Sequence, residues 1–118
     1  MTQGEFILTL LHAATNTHIL HLQTKSFSEH MALGTFYEEL PDLIDAVVES
    51  IQGLTGEIID YPEMYYHPAS NGLQELEELA EFVKENRQDL PPDSEIQNEV
   101  DNIATLINST LYKLRFLK

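Results

Sequence analysis

The stretch 17–30, THILHLQTKSFSEH, contains three of the five histidines of the chain. Asp45 follows His30 at a distance of fifteen positions, and Glu49 comes four positions after Asp45. Imidazole and carboxylate groups are both common ligands of iron and zinc. Residues at i and i+4 lie on one face of a helix, so Asp45 and Glu49 can act together. His21, His30, Asp45 and Glu49 are therefore candidate metal ligands.

The spacing of these residues prevents one ion from binding all four within a single chain. A helix rises 1.5 Å per residue, so His30 and Asp45 would lie about 22 Å apart along it. If this helix packs antiparallel against the same helix of a second copy, the histidines of one chain meet the carboxylates of the other. We therefore expect a homodimer or larger homo-oligomer with the site at its two-fold interface. The alternative is that the carboxylates are solvated and the histidines only pack.

The remaining three histidines are weaker candidates for metal ligands. His18 lies near the centre of an apolar stripe, which favours a packed core residue over a ligand. His12 and His67 have no evident partners in the sequence, so we expect both to be structural or surface residues.

Apolar periodicity predicts four amphipathic helices and no strand, over residues 6–22, 29–54, 70–88 and 94–118. This pattern indicates an all-α chain, a single domain of residues 1–118 folded as an antiparallel four-helix bundle. The first helix is expected to bury a stripe of Ile7, Leu11, Ala14, His18 and Leu22. The second is expected to bury Leu33, Phe36, Leu40, Leu43 or Ile44, Val47, Ile51 and Leu54.

Capping and breaking residues mark the helix ends. Pro41 lies inside the second helix and lacks a backbone N–H, which predicts a kinked or split helix. The expected caps are Ser26 or Ser28, Gly53 or Gly56, and two capping boxes formed by Asn71 with Gln74 and by Ser94 with Gln97.

The charge of the chain is strongly negative. Twenty acidic residues against six basic ones give a formal net charge of -14, and no Lys or Arg occurs between Lys25 and Lys84. Such a surface repels phosphate backbones, so we expect no direct nucleic-acid binding. It suits cations or a basic protein partner. The simpler alternative is that the charge only keeps the protein in solution.

Several classes of protein are disfavoured by composition. The chain has no cysteine, which excludes disulfides and thiolate metal sites. No apolar run approaches the roughly 20 residues of a membrane span. The first residues lack the basic region of a signal peptide, so a cytoplasmic location is expected. There is no phosphate-binding loop and no paired nucleophile and base.

The pattern H-x8-H-x14-D-x3-E, formed by His21, His30, Asp45 and Glu49, resembles the ferroxidase signature of Dps proteins, the mini-ferritins. The resemblance covers residues 5 to about 56. It implies a ferritin-like fold and iron as the bound metal, with zinc as the alternative. It also implies oxidation of Fe(II) by O2 or peroxide at a shared two-fold interface.

The sequence departs from the Dps pattern at several positions. Gly34 stands where Dps proteins usually have a further carboxylate, and Leu22 stands in place of the usual tryptophan. The segment between the two histidines is three residues shorter, and there is no lysine-rich tail. These departures favour metal binding over an intact ferroxidase.

Two segments, HLQTKSFSEH and INSTLYKLRFLK, resemble small helical proteins of unknown function encoded by tailed phages. This resemblance implies a location in the host cytoplasm. It also raises a second function, that of a non-enzymatic acidic protein that inhibits a basic host protein or mimics DNA. A third alternative is a small structural oligomer with no ligand.

Overall fold

The computed structural model describes residues 1–118 and contains four α-helices and no β-strand. They are α1 (Gln3–Gln23), α2 (Phe27–Thr55), α3 (Gly72–Asn86) and α4 (Ser94–Phe116), and a short 3₁₀ turn, Arg87–Asp89, follows α3. The prediction of an all-helical chain with four helices is confirmed. None of the helices combines the length and the apolar character that a bilayer span requires.

The four helices pack around one hydrophobic core. The main contacts join α1 to α2 and α3, and join α4 to α2 and α3, so α2 and α3 lie diagonally opposite each other. Both begin at the same end of the molecule, because the Gly72 N–H donates to Glu29 Oε1 at 3.1 Å. The two hairpins, α1–α2 and α3–α4, are therefore joined by a long crossover, residues 56–71, which runs the length of the molecule.

The crossover runs along α1 and is fixed to it. The Tyr66 N–H donates to His12 Nδ1 at 3.1 Å, and Asn16 Nδ2 donates to the Tyr66 carbonyl at 2.8 Å. At Gly4 the two backbones come so close that a Cβ atom would lie 1.8 Å from the Asp60 carbonyl oxygen. His12 is therefore a structural residue, as expected. Its partner lies 54 positions away, in a segment with no helical periodicity.

The expected core of α2 is confirmed except at its last position, because Leu54 is 52% exposed. Its buried apolar side chains include Leu33, Phe36, Leu40, Ile44, Val47 and Ile51. Pro41 does not split the helix, because α2 continues from Phe27 to Thr55. Pro41 is exposed to solvent, and the buried stripe passes on the other side of the helix.

The expected core stripe of α1 is out of phase with the observed one. Its buried positions are Phe6, Ile7, Leu10, Ala13, Asn16, Thr17 and Leu20. Leu11 is 38% exposed and Leu22 is 68% exposed. His18 is also exposed, so the prediction of a core histidine is wrong. The buried Thr17 hydroxyl donates to the Ala13 carbonyl at 2.7 Å, which lets a polar residue occupy the core position.

The caps predicted at Ser26 and Gly56 are confirmed, because Ser26 accepts a backbone N–H with its side chain and Gly56 ends α2 with a φ of 72°. At the start of α3, Asn71 accepts the Gln74 N–H as predicted, but the reciprocal bond to the Gln74 side chain is absent, so the capping box is only half formed. Ser94 is not a cap, because it is the first residue of α4 and Asp93 precedes it without a side-chain bond. The side chain of Gln97 instead donates to the carbonyls of Arg87 and Pro91, linking α4 to the preceding turn.

Candidate functional site

His21 and His30 face each other across the tight connection between α1 and α2. The connection is only residues 24–26, so the last turn of α1 lies beside the first turn of α2. The two imidazole rings are stacked, with centroids 3.7 Å apart and an interplanar angle of 16°. The two histidines therefore lie at the same level on adjacent helices.

The two histidines also exchange hydrogen bonds. His21 Nδ1 donates to the His30 carbonyl at 2.5 Å, and His30 Nδ1 donates to the His21 carbonyl at 2.8 Å. A carbonyl can only accept, so both Nδ1 atoms carry a hydrogen, and each neutral ring keeps its lone pair on Nε2. We call this arrangement the histidine clasp. A backbone bond of this kind also fixes the ring of a metal-binding histidine.

Gly34 makes the clasp possible. A Cβ atom at this position would lie 3.0 Å from His21 Cε1 and 3.3 Å from His21 Nδ1. Any side chain here would push the imidazole away from the His30 carbonyl. Close contact with the His21 ring therefore favours glycine at position 34, where Dps proteins usually have a carboxylate.

Tyr37 extends the aromatic group around the clasp. The His18 ring stacks on Tyr37 at a centroid distance of 4.1 Å, and His21 contacts Tyr37 edge-on at 5.2 Å. His18 therefore lies near His21, with ring centroids 6.2 Å apart. The group joins α1 to α2 through ring contacts and backbone hydrogen bonds.

Asp45 and Glu49 lie elsewhere on α2. Both are exposed, as expected for side chains that point away from the core. They line a shallow groove of about 230 Å³ beside Leu11 and Tyr61. Burial, reinforced by the charge of Asp45, raises the pKa of the Tyr61 phenol.

The histidines and the carboxylates do not meet within one chain. Fifteen residues of continuous helix separate His30 from Asp45, which corresponds to about 22 Å. No group of three or more His, Asp or Glu side chains in the chain is arranged to hold a metal ion. The residues of a single chain therefore do not fit a Dps-like iron centre.

The carboxylates are largely unpaired. Only three ion pairs form: the Met1 amino group with Asp89, Arg87 with Asp101, and Arg115 with Glu77. With twenty acidic side chains, this leaves seventeen without an ion-pair partner. On α3 the hydrogen bond and charge of Glu81 raise the pKa of Glu85. The negative charge of the surface is therefore uncompensated.

The crossover combines this charge with exposed apolar side chains. Ile58 is 79% exposed, Met64 and Tyr65 are each 50% exposed, and Tyr61 is 44% exposed. Three carboxylates without ion pairs alternate with them along the chain: Glu57, Asp60 and Glu63. We call this surface of seven residues the crossover face. Large exposed apolar groups next to one another are typical of interaction surfaces.

Comparison with known proteins assigns the chain to a family. The model of a family of unknown function (DUF5856) matches residues 21–114. The chain belongs to this family. DUF5856 is not the Dps family, so the resemblance to Dps proteins remains one of residue pattern.

This DUF5856 chain is also similar to a phage protein. That relative is the uncharacterized 14.6 kDa protein in the mobD-ri intergenic region of Enterobacteria phage T4. The two are 27% identical over 112 residues, which cover 93% of this chain and 85% of the relative. The expected likeness to phage-encoded proteins is therefore confirmed. No solved structure matches the chain.

Sequence reasoning missed two members of the histidine group. Tyr37 lies seven residues after His30, two helical turns along the same face of α2, and this spacing was the available signal. Gly34 was noted only as a missing carboxylate. Its contact with His21 depends on how closely α1 approaches α2, which no periodicity reveals.

Proposed function

We propose that this DUF5856 protein is a non-enzymatic binding protein that captures a basic protein partner through the crossover face. The observation that carries this proposal is the placement of exposed apolar side chains among unpaired carboxylates in a segment with no cation. From residue 26 to residue 83 the chain has no Lys or Arg. An inhibitor of a basic host protein is the form of this function that best suits a relative of a phage protein.

The side chains of the crossover face suit such an interface. Tyrosine and methionine are enriched at protein interfaces, and a few well-buried anchors supply most of the binding energy. Tyr61 and Met64 provide such anchors. Glu57, Asp60 and Glu63 would steer a cationic partner and suppress acidic competitors.

The crossover is also held in place before binding. Its backbone is bonded to His12 and Asn16 on α1, and Gly4 allows it to lie close to that helix. A binding segment that is already ordered loses less conformational entropy when a partner binds. This supports a preformed interface over a segment that folds on binding.

The test is an affinity capture from host lysate, with mass spectrometry of the retained protein. Wild type is expected to retain a basic protein. Raising the ionic strength from about 0.1 M to 1 M shortens the Debye length from about 10 Å to 3 Å, and should release it. Tyr61→Ser with Met64→Ser should abolish retention, because it removes the apolar anchors.

The matched control is Phe27→Ser with Met31→Ser, which removes one aromatic and one methionine side chain that are at least as exposed as Tyr61 and Met64, from another surface. This control should retain the partner as wild type does. A complex that survives high salt would refute the proposal. Equal retention of the partner by the two double variants would also refute it.

We also propose that the helices form a ferritin-like antiparallel four-helix bundle. The feature that supports this topology is the connection of two antiparallel hairpins by one long crossover. An experimental structure in which α2 and α3 run antiparallel would refute it.

A second candidate function is metal binding across a two-fold interface, by His21 and His30 of one copy with Asp45 and Glu49 of the other. The observation that favours it is the histidine clasp, which leaves the Nε2 lone pairs of both neutral rings available. Iron or zinc would be held by imidazole and carboxylate ligands.

The metal test measures thermal unfolding and mass in solution with and without Zn²⁺ or Fe²⁺. A metal at 100 times its Kd should stabilise the protein by about 2.7 kcal/mol. His30→Gln with Glu49→Gln should abolish this shift, and His67→Gln with Glu38→Gln serves as the control. An unchanged melting temperature in wild type, or a monomer in the presence of metal, excludes this candidate.

A further inference from the structure

An open apolar groove lies at the end of the molecule where α2 begins and α4 ends. It has a volume of about 600 Å³. Among its nine lining residues are four large apolar side chains and two cations: Phe27, Met31, Phe116, Leu117, Lys113 and Lys118. We call it the α2/α4 groove. It shares no residue with the crossover face or the histidine clasp.

The apolar side chains of this groove are poorly covered. Phe27 is 77% exposed, Phe116 is 71% exposed, Met31 is 54% exposed and Leu117 is 49% exposed. Burying such side chains against a partner is favourable, because it removes apolar surface from water. Two exposed phenylalanines and a methionine in one concavity are the composition of a helix-binding groove.

The charge of the groove is opposite to that of the rest of the protein. None of its lining residues carries a carboxylate, although the chain has twenty acidic residues. Lys113 and Lys118 form no ion pair, so their charges are available to a ligand. On a chain of net charge -14, this is an apolar groove whose two charged side chains are both cations.

We propose that the α2/α4 groove binds an acidic amphipathic helix of a partner protein. Phe27, Met31 and Thr35 lie at i, i+4 and i+8 on α2 and form one wall about 12 Å long. A helix of two to three turns fits this length. Its apolar face would contact the aromatic and methionine side chains, and its Asp or Glu residues would pair with Lys113 and Lys118.

The same observations disfavour two other occupants. An anionic membrane would be repelled by the net charge. A second copy docked groove to groove would bring the lysines of both copies together, which is unfavourable. An acidic helix has no such conflict.

The test uses a fluorescein-labelled peptide of about 18 residues, with leucine on one helical face and glutamate on the other. The control peptide has the same composition, with its leucines distributed around the helix. Binding to the full-length protein is measured by fluorescence anisotropy. We expect saturable binding of the amphipathic peptide and at least tenfold weaker binding of the control peptide.

Two matched double variants locate the binding. Met31→Ser with Lys113→Gln alters the groove and should weaken binding about tenfold or more. Leu54→Ser with Lys84→Gln removes an exposed apolar side chain and a cation outside the groove and should bind as wild type does. Circular dichroism melts verify that both variants fold, which is expected because all four positions are at the surface or half-buried.

Three results would overturn the proposal. One is equal affinity of the wild-type protein for the two peptides, or equal affinity of the two variants for the amphipathic peptide. Another is binding to phosphatidylglycerol vesicles without binding to the amphipathic peptide. The third is a wild-type dimer that the groove variant converts to a monomer, which would assign the groove to self-association. The proposed basic partner of the crossover face is not involved in any of these measurements.

Discussion

The Nδ1 atom of His21 donates to the carbonyl of His30 at 2.5 Å, and the Nδ1 atom of His30 donates to the carbonyl of His21 at 2.8 Å. The last four carbonyls of a helix have no partner within it, and that of His21 is one of these in α1. The clasp therefore completes the end of α1 with a side chain of α2. It also fixes the angle at which the chain reverses.

We predict that His30→Phe destabilises the protein while keeping the ring stacking. Phenylalanine has no Nδ1 donor, so the His21 carbonyl loses its partner, at a cost of about 1–3 kcal/mol. His21→Phe should have a similar cost. Because the two residues act as one unit, the double variant should cost less than the sum, with a coupling of about 0.5–3 kcal/mol in urea unfolding. His67→Phe is the control, and His67 makes no hydrogen bond. Additive losses would contradict the reciprocal clasp.

We predict that Gly34→Ala destabilises the protein although alanine is the better helix former. The new Cβ would lie 3.0 Å from His21 Cε1, so the imidazole must move. The matched control is Gly53→Ala in the same helix, where no atom lies within 4 Å of the new Cβ. Gly53→Ala should gain about 0.5–1 kcal/mol, as helix propensity predicts. Equal gains at both positions would show that the ring is not held against Gly34. Differential scanning fluorimetry is sufficient for this comparison.

The accuracy of the sequence interpretation differs between α1 and α2 for a physical reason. In α2 every core position is apolar, so the hydrophobic period alone identifies Leu33 and Val47 as buried. In α1 the core positions Asn16 and Thr17 are polar. Asn16 bonds to the crossover and Thr17 to the Ala13 carbonyl one turn back in the same helix, and these bonds remove the cost of burial. Periodicity cannot detect a polar residue that is satisfied by a partner, so the predicted stripe shifted onto His18.

The candidate site was predictable only where local geometry decides it. The short connection after α1 brings His21 beside His30, and the sequence is sufficient to infer this. The path of the crossover is different, because residues 56–71 have no helical or strand period. Their contacts with His12 and Asn16 depend on packing of distant segments, so the sequence did not reveal the crossover face.

We predict that Gly4→Ala loosens the crossover. A Cβ atom at position 4 would lie 1.8 Å from the Asp60 carbonyl oxygen, so one of the two backbones must shift. Hydrogen exchange should accelerate across residues 56–71, including at the Tyr66 amide that donates to His12. Exchange in α4 should be unchanged, and Gly53→Ala provides the control. Unchanged protection at Tyr66 would mean that the crossover does not depend on its close contact with α1.

We predict that Glu75→Gln stabilises the protein near neutral pH and has little effect under acid conditions. Burial raises the pKa of Glu75 above its ordinary value of 4.5, while a hydrogen bond from the Ala69 N–H opposes this rise and the charge of Glu78 adds to it. The folded state therefore binds the proton more tightly than the unfolded state. The stability that protonated Glu75 contributes is complete below the unfolded pKa and is lost as the pH rises through the folded pKa.

Glutamine does not ionise, and its side-chain oxygen can still accept the Ala69 N–H bond of 2.9 Å. The melting temperature of Glu75→Gln minus that of wild type should therefore increase between about pH 4 and pH 7. Glu38→Gln removes one charge from an exposed position and corrects for the change in net charge. After correction with Glu38→Gln, the melting-temperature difference between Glu75→Gln and wild type could be the same at both ends of this pH range. That result would mean that burial does not disfavour the charged form of Glu75.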